Sequence, residues 1–171
     1  KNPYFKTDLK RKELWRKKIG NSKKKKIGVC WSSTTKSFQN RNIPLNIFSK
    51  IFREDFEFHI LQKVVDTEDR KILINQRQLV QFHGDKLADF SDTAALLENM
   101  DLIISSDTVI AHLAGALGKK LYLLLPFLPD HRWLLERSDS PWYPTATIFR
   151  QKKRDEWDPI ISSIINRIRI R

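Results

Sequence analysis

Apolar positions along this chain fall into short, nearly continuous runs, separated by segments in which they recur at helical spacing. The runs "KIGVCW", "FEFHILQK", "LVQFHG", "DLIISS", "KLYLLLP" and "TATIFRQ" predict six strands. Between them, "LKRKELWRKKI" predicts a helix with a narrow stripe of Leu9, Trp15 and Ile19, capped by Thr7 or Asp8. "LNIFSKIF" predicts a second helix with Pro44 at its start, and "DTAALLENM" a third, capped by Asp92 or Ser91. "TVIAHLAGAL" and "EWDPIISSIINRIRI" predict two more. The charged segment before "LVQFHG" shows no clear period, and "SSTTKSFQNRN" reads as a polar loop.

Strands that are apolar on both faces and alternate with helices predict an α/β fold, a Rossmann-like doubly wound parallel sheet. Such sheets bind ligands at the carboxyl ends of their strands. That topology singles out Ser32 and Ser33, Gln62 and Lys63, His83 and Gly84, Ser106, Asp107 and Thr108, and the segment from Phe127 onward.

Charge changes the picture at one end only. Twelve of the 32 Lys and Arg residues, but only Asp8 and Glu13 among the acids, lie within residues 1–26, so the remainder is close to neutral despite the net charge of +12. Residues 1–26 are therefore expected to be a basic helix and linker, and residues 27–171 the folded domain. Clustered lysines bind RNA, DNA or anionic lipid surfaces by electrostatics, but no aromatic residues interleave with the charge as in a single-strand binder. A solvated lead-in helix is the simpler reading, with at most weak contact to an anionic surface. A single cysteine, Cys30, fits a reducing, cytoplasmic location and a buried strand position. No apolar run is long enough to span a bilayer. The chain starts at Lys1, so a piece of a longer protein is expected.

Several chemistries lack their motifs. G-x-G-x-x-G is missing after the first strand, which disfavours NAD or FAD, and "GALGKK" has neither the spacing nor the position of a phosphate loop. The four histidines show no metal-ligand spacing, and no nucleophile elbow is present, so neither metal nor cofactor is expected. What remains is the start of the helix after "DLIISS". Its free N–H groups and dipole would face the crevice, with Thr108 and His112 as added donors. The alternative is that Asp107 only caps this helix and His112 is a satisfied structural histidine.

"DTVIAHLAGALGKKLYLLLP", preceded by "FSDTAALLENMDLIISS", resembles the C-terminal half of the heptosyltransferase family, glycosyltransferase family 9. The likeness is nearer still to the related domain that follows tetratricopeptide repeats in many bacterial proteins. It covers roughly residues 27–150, and "PYFKTDLKRKELWRKKIG" resembles the segment preceding that domain. The resemblance implies one half of a glycosyltransferase-B architecture, the half that binds the nucleotide-sugar donor. It implies that Asp107, Thr108 and His112 touch the donor's phosphates and sugar, that Arg41 is a phosphate contact, and that Lys63 lies near the nucleotide. Ser32 and Ser33 stand where the repeat-linked set has Ala-Gly, and Val109-Ile110 where heptosyltransferases have Gly-Pro. Asp130, Arg132 and Trp133 match the repeat-linked set and are expected to line the crevice or to form a Trp-packed loop. The acceptor, a glycan or protein, and the catalytic base would belong to an N-terminal half that this chain lacks, leaving the domain incompetent alone. The rival readings are a non-catalytic nucleotide-binding or interaction module and a nucleic-acid binder acting through the basic arm.

Overall fold

The computed structural model describes residues 3–34 and 41–169, so the middle of the predicted loop "SSTTKSFQNRN" lies outside the described residues. The six predicted strands form β1 (Lys25–Cys30), β2 (Phe56–Ile60), β3 (Val80–Phe82), β4 (Leu102–Ser106), β5 (Leu121–Leu125) and β6 (Ala146–Arg150). They make one sheet in the order β3-β2-β1-β4-β5-β6, parallel at every junction. The strand order reverses between β1 and β4, which opens a crevice at their carboxyl ends.

The helices are α1 (Leu9–Ile19), α2 (Leu45–Phe48), α3 (Thr67–Asn75), α4 (Phe90–Glu98), α5 (Val109–Ala116) and α6 (Asp158–Arg169). The second predicted helix shortens to α2 and continues as a tight turn over Ser49–Ile51. The segment without a clear period is α3, started by Asp66, whose carboxylate accepts from Asp69 N–H at 2.8 Å. Asp8 caps α1. The cap of α4 is Asp89, not Asp92 or Ser91: Asp89 accepts from Asp92 N–H at 2.9 Å, and Phe90 and Ser91 are already helical.

Alternation along the strands divides the core into two layers. Cys30, Leu61, Ile103, Leu121, Leu123 and Leu125 face α1, α4 and α5. Ile27, Val29, Phe58, Ile60, Ile104 and Leu124 face α2, α3 and α6. Within the basic segment, Trp15 and Ile19 are buried and join the first layer, whereas Leu9 is 78% exposed. Arg11 pairs with Asp89 at 3.0 Å and Lys12 with Glu98 at 2.9 Å, tying α1 to α4 and its cap. Lys25, expected at the end of the linker, joins Lys26 as a strand residue of β1. Ahead of α1, Tyr4 and Phe5 donate their N–H groups to Ala116 O at 3.2 Å, strapping the start of the chain to the end of α5. Beyond β6, Asp139 bridges Thr147 in antiparallel fashion, and Ile148 N–H donates to Ser138 O at 2.7 Å. Among the described residues, no helix is long and apolar enough to cross a membrane.

Candidate functional site

A cavity of about 400 Å³ occupies the crevice where the strand order reverses. Cys30, Ser32, Ser33 and Thr34 line it after β1, Gln62 and Lys63 after β2, Asp89 and Phe90 at α4, and Thr108 to Ile110 at the start of α5. Five of the residues singled out from sequence thus share one space: Ser32, Ser33, Gln62, Lys63 and Thr108. Gln62 organises the wall, accepting from Trp31 N–H at 3.1 Å and donating to Ser32 Oγ at 3.1 Å and Val64 O at 3.1 Å. Lys63 Nζ donates to Ala88 O at 3.2 Å. Arg41 reaches the same wall through Ser33 Oγ at 3.4 Å.

The start of α5 differs from its neighbours. Aspartates cap α1, α3 and α4, but Thr108 makes no side-chain cap on α5. Its hydroxyl turns inward to Ser105 Oγ at 3.1 Å and Cys30 Sγ at 3.5 Å. The expected hydroxyl donor is therefore engaged within the fold. First-turn amides of a helix lack the usual acceptor four residues back; here Ala111 N–H turns to Thr108 O at 3.0 Å, while among the described residues no side chain accepts from the Val109 or Ile110 amide. Val109 stands half exposed at this turn, on the cavity wall. Burial pushes the Cys30 thiol up, which keeps it protonated and inert.

Asp107, His112 and Arg132 form a second group beside the cavity. His112 Nε2 lies 3.7 Å from Asp107 Oδ1, and Arg132 Nη1 lies 3.1 Å from the same Nε2. Asp130 grips Arg132 with both oxygens, at 2.7 Å to Nε and 2.9 Å to Nη2. That pairing holds the Asp130 carboxyl well below the usual range and raises Arg132. Trp133 stacks on the His112 ring with centroids 5.2 Å apart and planes 20° apart.

Sequence reasoning did not find Tyr143. Its hydroxyl lies 2.9 Å from His112 Nδ1, and its ring crosses α5 directly over Gly115, where a Cβ would come within 2.2 Å of it. The one signal was Gly115 itself, a glycine inside a helix with no turn to explain it. Burial, and then a hydrogen bond to Tyr4, raise the Tyr143 pKa. Among the described residues, no group of three or more His, Cys, Asp and Glu side chains is placed to hold a metal ion.

Solved structures with the same architecture are glycosyltransferases. The E. coli ADP-heptose lipopolysaccharide heptosyltransferase II superposes on 98% of this chain with a TM-score of 0.73 at 16% identity, using 53% of its own length. A family 9 glycosyl transferase from Veillonella parvula superposes on 94% with a TM-score of 0.65 at 14% identity, using 45% of its length. The chain has the fold of the family 9 glycosyltransferases. E. coli heptosyltransferase WaaC, solved with ADP-2-deoxy-2-fluoro heptose, superposes on 92% with a TM-score of 0.62 at 12% identity, using 47% of its length. In sequence, Protein FlbA of Caulobacter vibrioides is 23% identical over 178 residues, which cover 99% of this chain and 29% of FlbA. No family model matches the chain. The chain shares the fold of these transferases, spanning about half their length and less than a third of FlbA.

Proposed function

We propose that this domain binds the nucleotide diphosphate of a sugar donor, as the donor half of a heptosyltransferase-like enzyme. The observation that carries the reading is the cavity of about 400 Å³ where the strand order reverses, with the uncapped start of α5 in its wall. A diphosphate there would accept from the first-turn amides of α5 and gain from the helix dipole. Ser32, Ser33 and Arg41 approach from the β1 side and Lys63 from the β2 side, and the mainly apolar remainder suits a base and ribose. WaaC, of like fold, has been solved both with ADP and with an ADP-sugar analogue.

In glycosyl transfer, negative charge grows on the departing nucleotide diphosphate. Preorganised amide and guanidinium donors stabilise that charge more than the ground state. This chain's share of the work is to hold the leaving group and take up its charge. A carboxylate base for the acceptor hydroxyl, and the acceptor itself, would come from outside it.

Calorimetric titration with ADP, GDP, UDP, CMP and dTDP tests the reading. One nucleoside diphosphate should bind in preference to the others. Val109→Trp, which fills the mouth of the cavity from an exposed position, should abolish binding. Arg41→Ala should weaken it about tenfold, the cost of one charge-assisted hydrogen bond. Binding that ignores base identity and both substitutions, or no binding, would overturn it.

A further inference from the structure

The hydrogen bonds around His112 have only one consistent direction. A guanidinium carries donors and no acceptor, so at 3.1 Å from Arg132 Nη1 the His112 Nε2 must present its lone pair. An imidazole that accepts at Nε2 carries its proton on Nδ1. That N–H donates to the Tyr143 hydroxyl oxygen at 2.9 Å. An imidazolium would set an N–H against an N–H at Arg132. The chain from Arg132 through His112 to Tyr143 thus runs one way.

Packing holds each member in place. Trp133 stacks on the imidazole, and the missing Cβ of Gly115 lets the Tyr143 ring approach. Arg150 Nη2 donates to Trp133 O at 3.3 Å and Leu134 O at 2.7 Å, while Trp142 Nε1 donates to Arg132 O at 2.9 Å. Leu134 sits at φ 52°, a left-handed conformation that a leucine adopts only when its surroundings impose it.

The arrangement reverses the role expected for His112. With Nε2 accepting, the ring has no hydrogen to offer an anion. Arg132 does: Asp130 and His112 use Nε–H and one N–H on each terminal nitrogen, which leaves one N–H free on Nη1 and one on Nη2. Asp130 neutralises the guanidinium, so Arg132 acts as a fixed pair of donors more than as a net charge. We infer that Arg132 is the side chain that meets a phosphate oxygen at this end of the crevice, and that His112 and Tyr143 are positioning residues that fix its direction. The phosphate contact rests on the donor-binding reading; the tautomer does not.

Long-range ¹⁵N–¹H correlation spectra of the nucleotide-free protein near neutral pH read the tautomer directly. His112 should be protonated at Nδ1 alone. In Tyr143→Phe, which keeps the ring over Gly115 and removes only the acceptor, the His112 Nδ1 signals should shift while Nε2 stays unprotonated, because Arg132 still donates to it. An Nε2–H or imidazolium form in the unsubstituted protein would overturn the inference by itself, as would a Tyr143→Phe spectrum unchanged at His112. ADP titration then tests the contact. Arg132→Gln should weaken binding about tenfold or more, and Tyr143→Phe by a smaller factor. Unchanged affinity in Arg132→Gln would overturn Arg132's role. An unsubstituted protein that binds no nucleoside diphosphate would overturn that role together with the donor-binding reading, while the tautomer result still judges the hydrogen-bond chain.

Discussion

Trp15→Ala should destabilise the domain by about 3–5 kcal/mol, the range for removing a buried aromatic side chain and leaving a cavity. Trp15 is 1% exposed although it lies in the most basic stretch of the chain. Its ring packs into the layer shared with Leu96, Leu97 and Met100 and meets the His83 ring edge-on, with centroids 5.6 Å apart. Its Nε1 donates to Asp92 Oδ1 at 3.3 Å, and Lys18 Nζ sits 4.5 Å above the ring. Around this anchor the ion pairs of Arg11 and Lys12 are half exposed, and pairs of that kind contribute about 0–1 kcal/mol each. The hydrophobic term therefore decides how α1 is held. Urea denaturation would measure the effect, with Lys10→Ala on the outer face as a control near zero. A cost below about 1 kcal/mol for Trp15→Ala would mean that α1 is a dispensable arm.

The second large effect is expected in mild acid. His59 and His83 stack at the heart of the α1 layer, with His59 Nδ1 at 3.0 Å from His83 Nε2 and ring centroids 5.3 Å apart. Burial lowers both rings to about 4; Lys26 adds to this for His59, and His59 and Lys86 add to it for His83, against a smaller opposing pull from Glu57. Above the unfolded value of 6.5, both rings are neutral in both states and the pair leaves stability unchanged. Below it the unfolded chain takes up protons that the folded chain refuses, so stability falls with pH until the folded rings titrate near 4. Each tenfold loss of proton affinity corresponds to about 1.4 kcal/mol, so the decline is on the order of 3 kcal/mol for each ring. Urea midpoints followed from about pH 7 to about pH 5.5 should already fall, above the range where most carboxylates begin to protonate. A flat profile there would show that the pair is already protonated in the folded protein or is not buried.

What the sequence disclosed depended on how local each signal was. Strands β1, β4 and β5 are buried on both sides, so their runs stand out without any tertiary knowledge. Helix α3 buries only Leu73, too thin a stripe to show a period, and its start depends on the Asp66 carboxylate rather than on hydrophobicity. Helix α1 was legible as a helix but not as a packed one, because lysines surround the two side chains that anchor it. In the candidate site, the rule that ligands gather at strand ends named Ser32, Ser33, Gln62, Lys63 and Thr108, which share the cavity wall, together with His83, Gly84, Ser106, Asp107 and Phe127, which do not line it. Asp107, together with His112 and Arg132, which came from the helix start and the resemblance, belongs to an adjoining group. Tyr143 lies 31 residues from His112, and His83 lies 24 from His59. Such pairs follow from strand register and loop path, which no local pattern encodes.

The two edges of the sheet set what can attach to it. Parallel strands leave unpaired amides and carbonyls along both borders, an open template for a foreign strand. On the β6 side the chain answers with its own backbone, the Asp139–Thr147 bridge and the bond from Ile148 to Ser138. On the β3 side only Val80–Phe82 is on offer, too short for durable pairing. The domain is thus guarded against growing sideways into strand-swapped or fibrous assemblies, and any lasting association must be made through side chains.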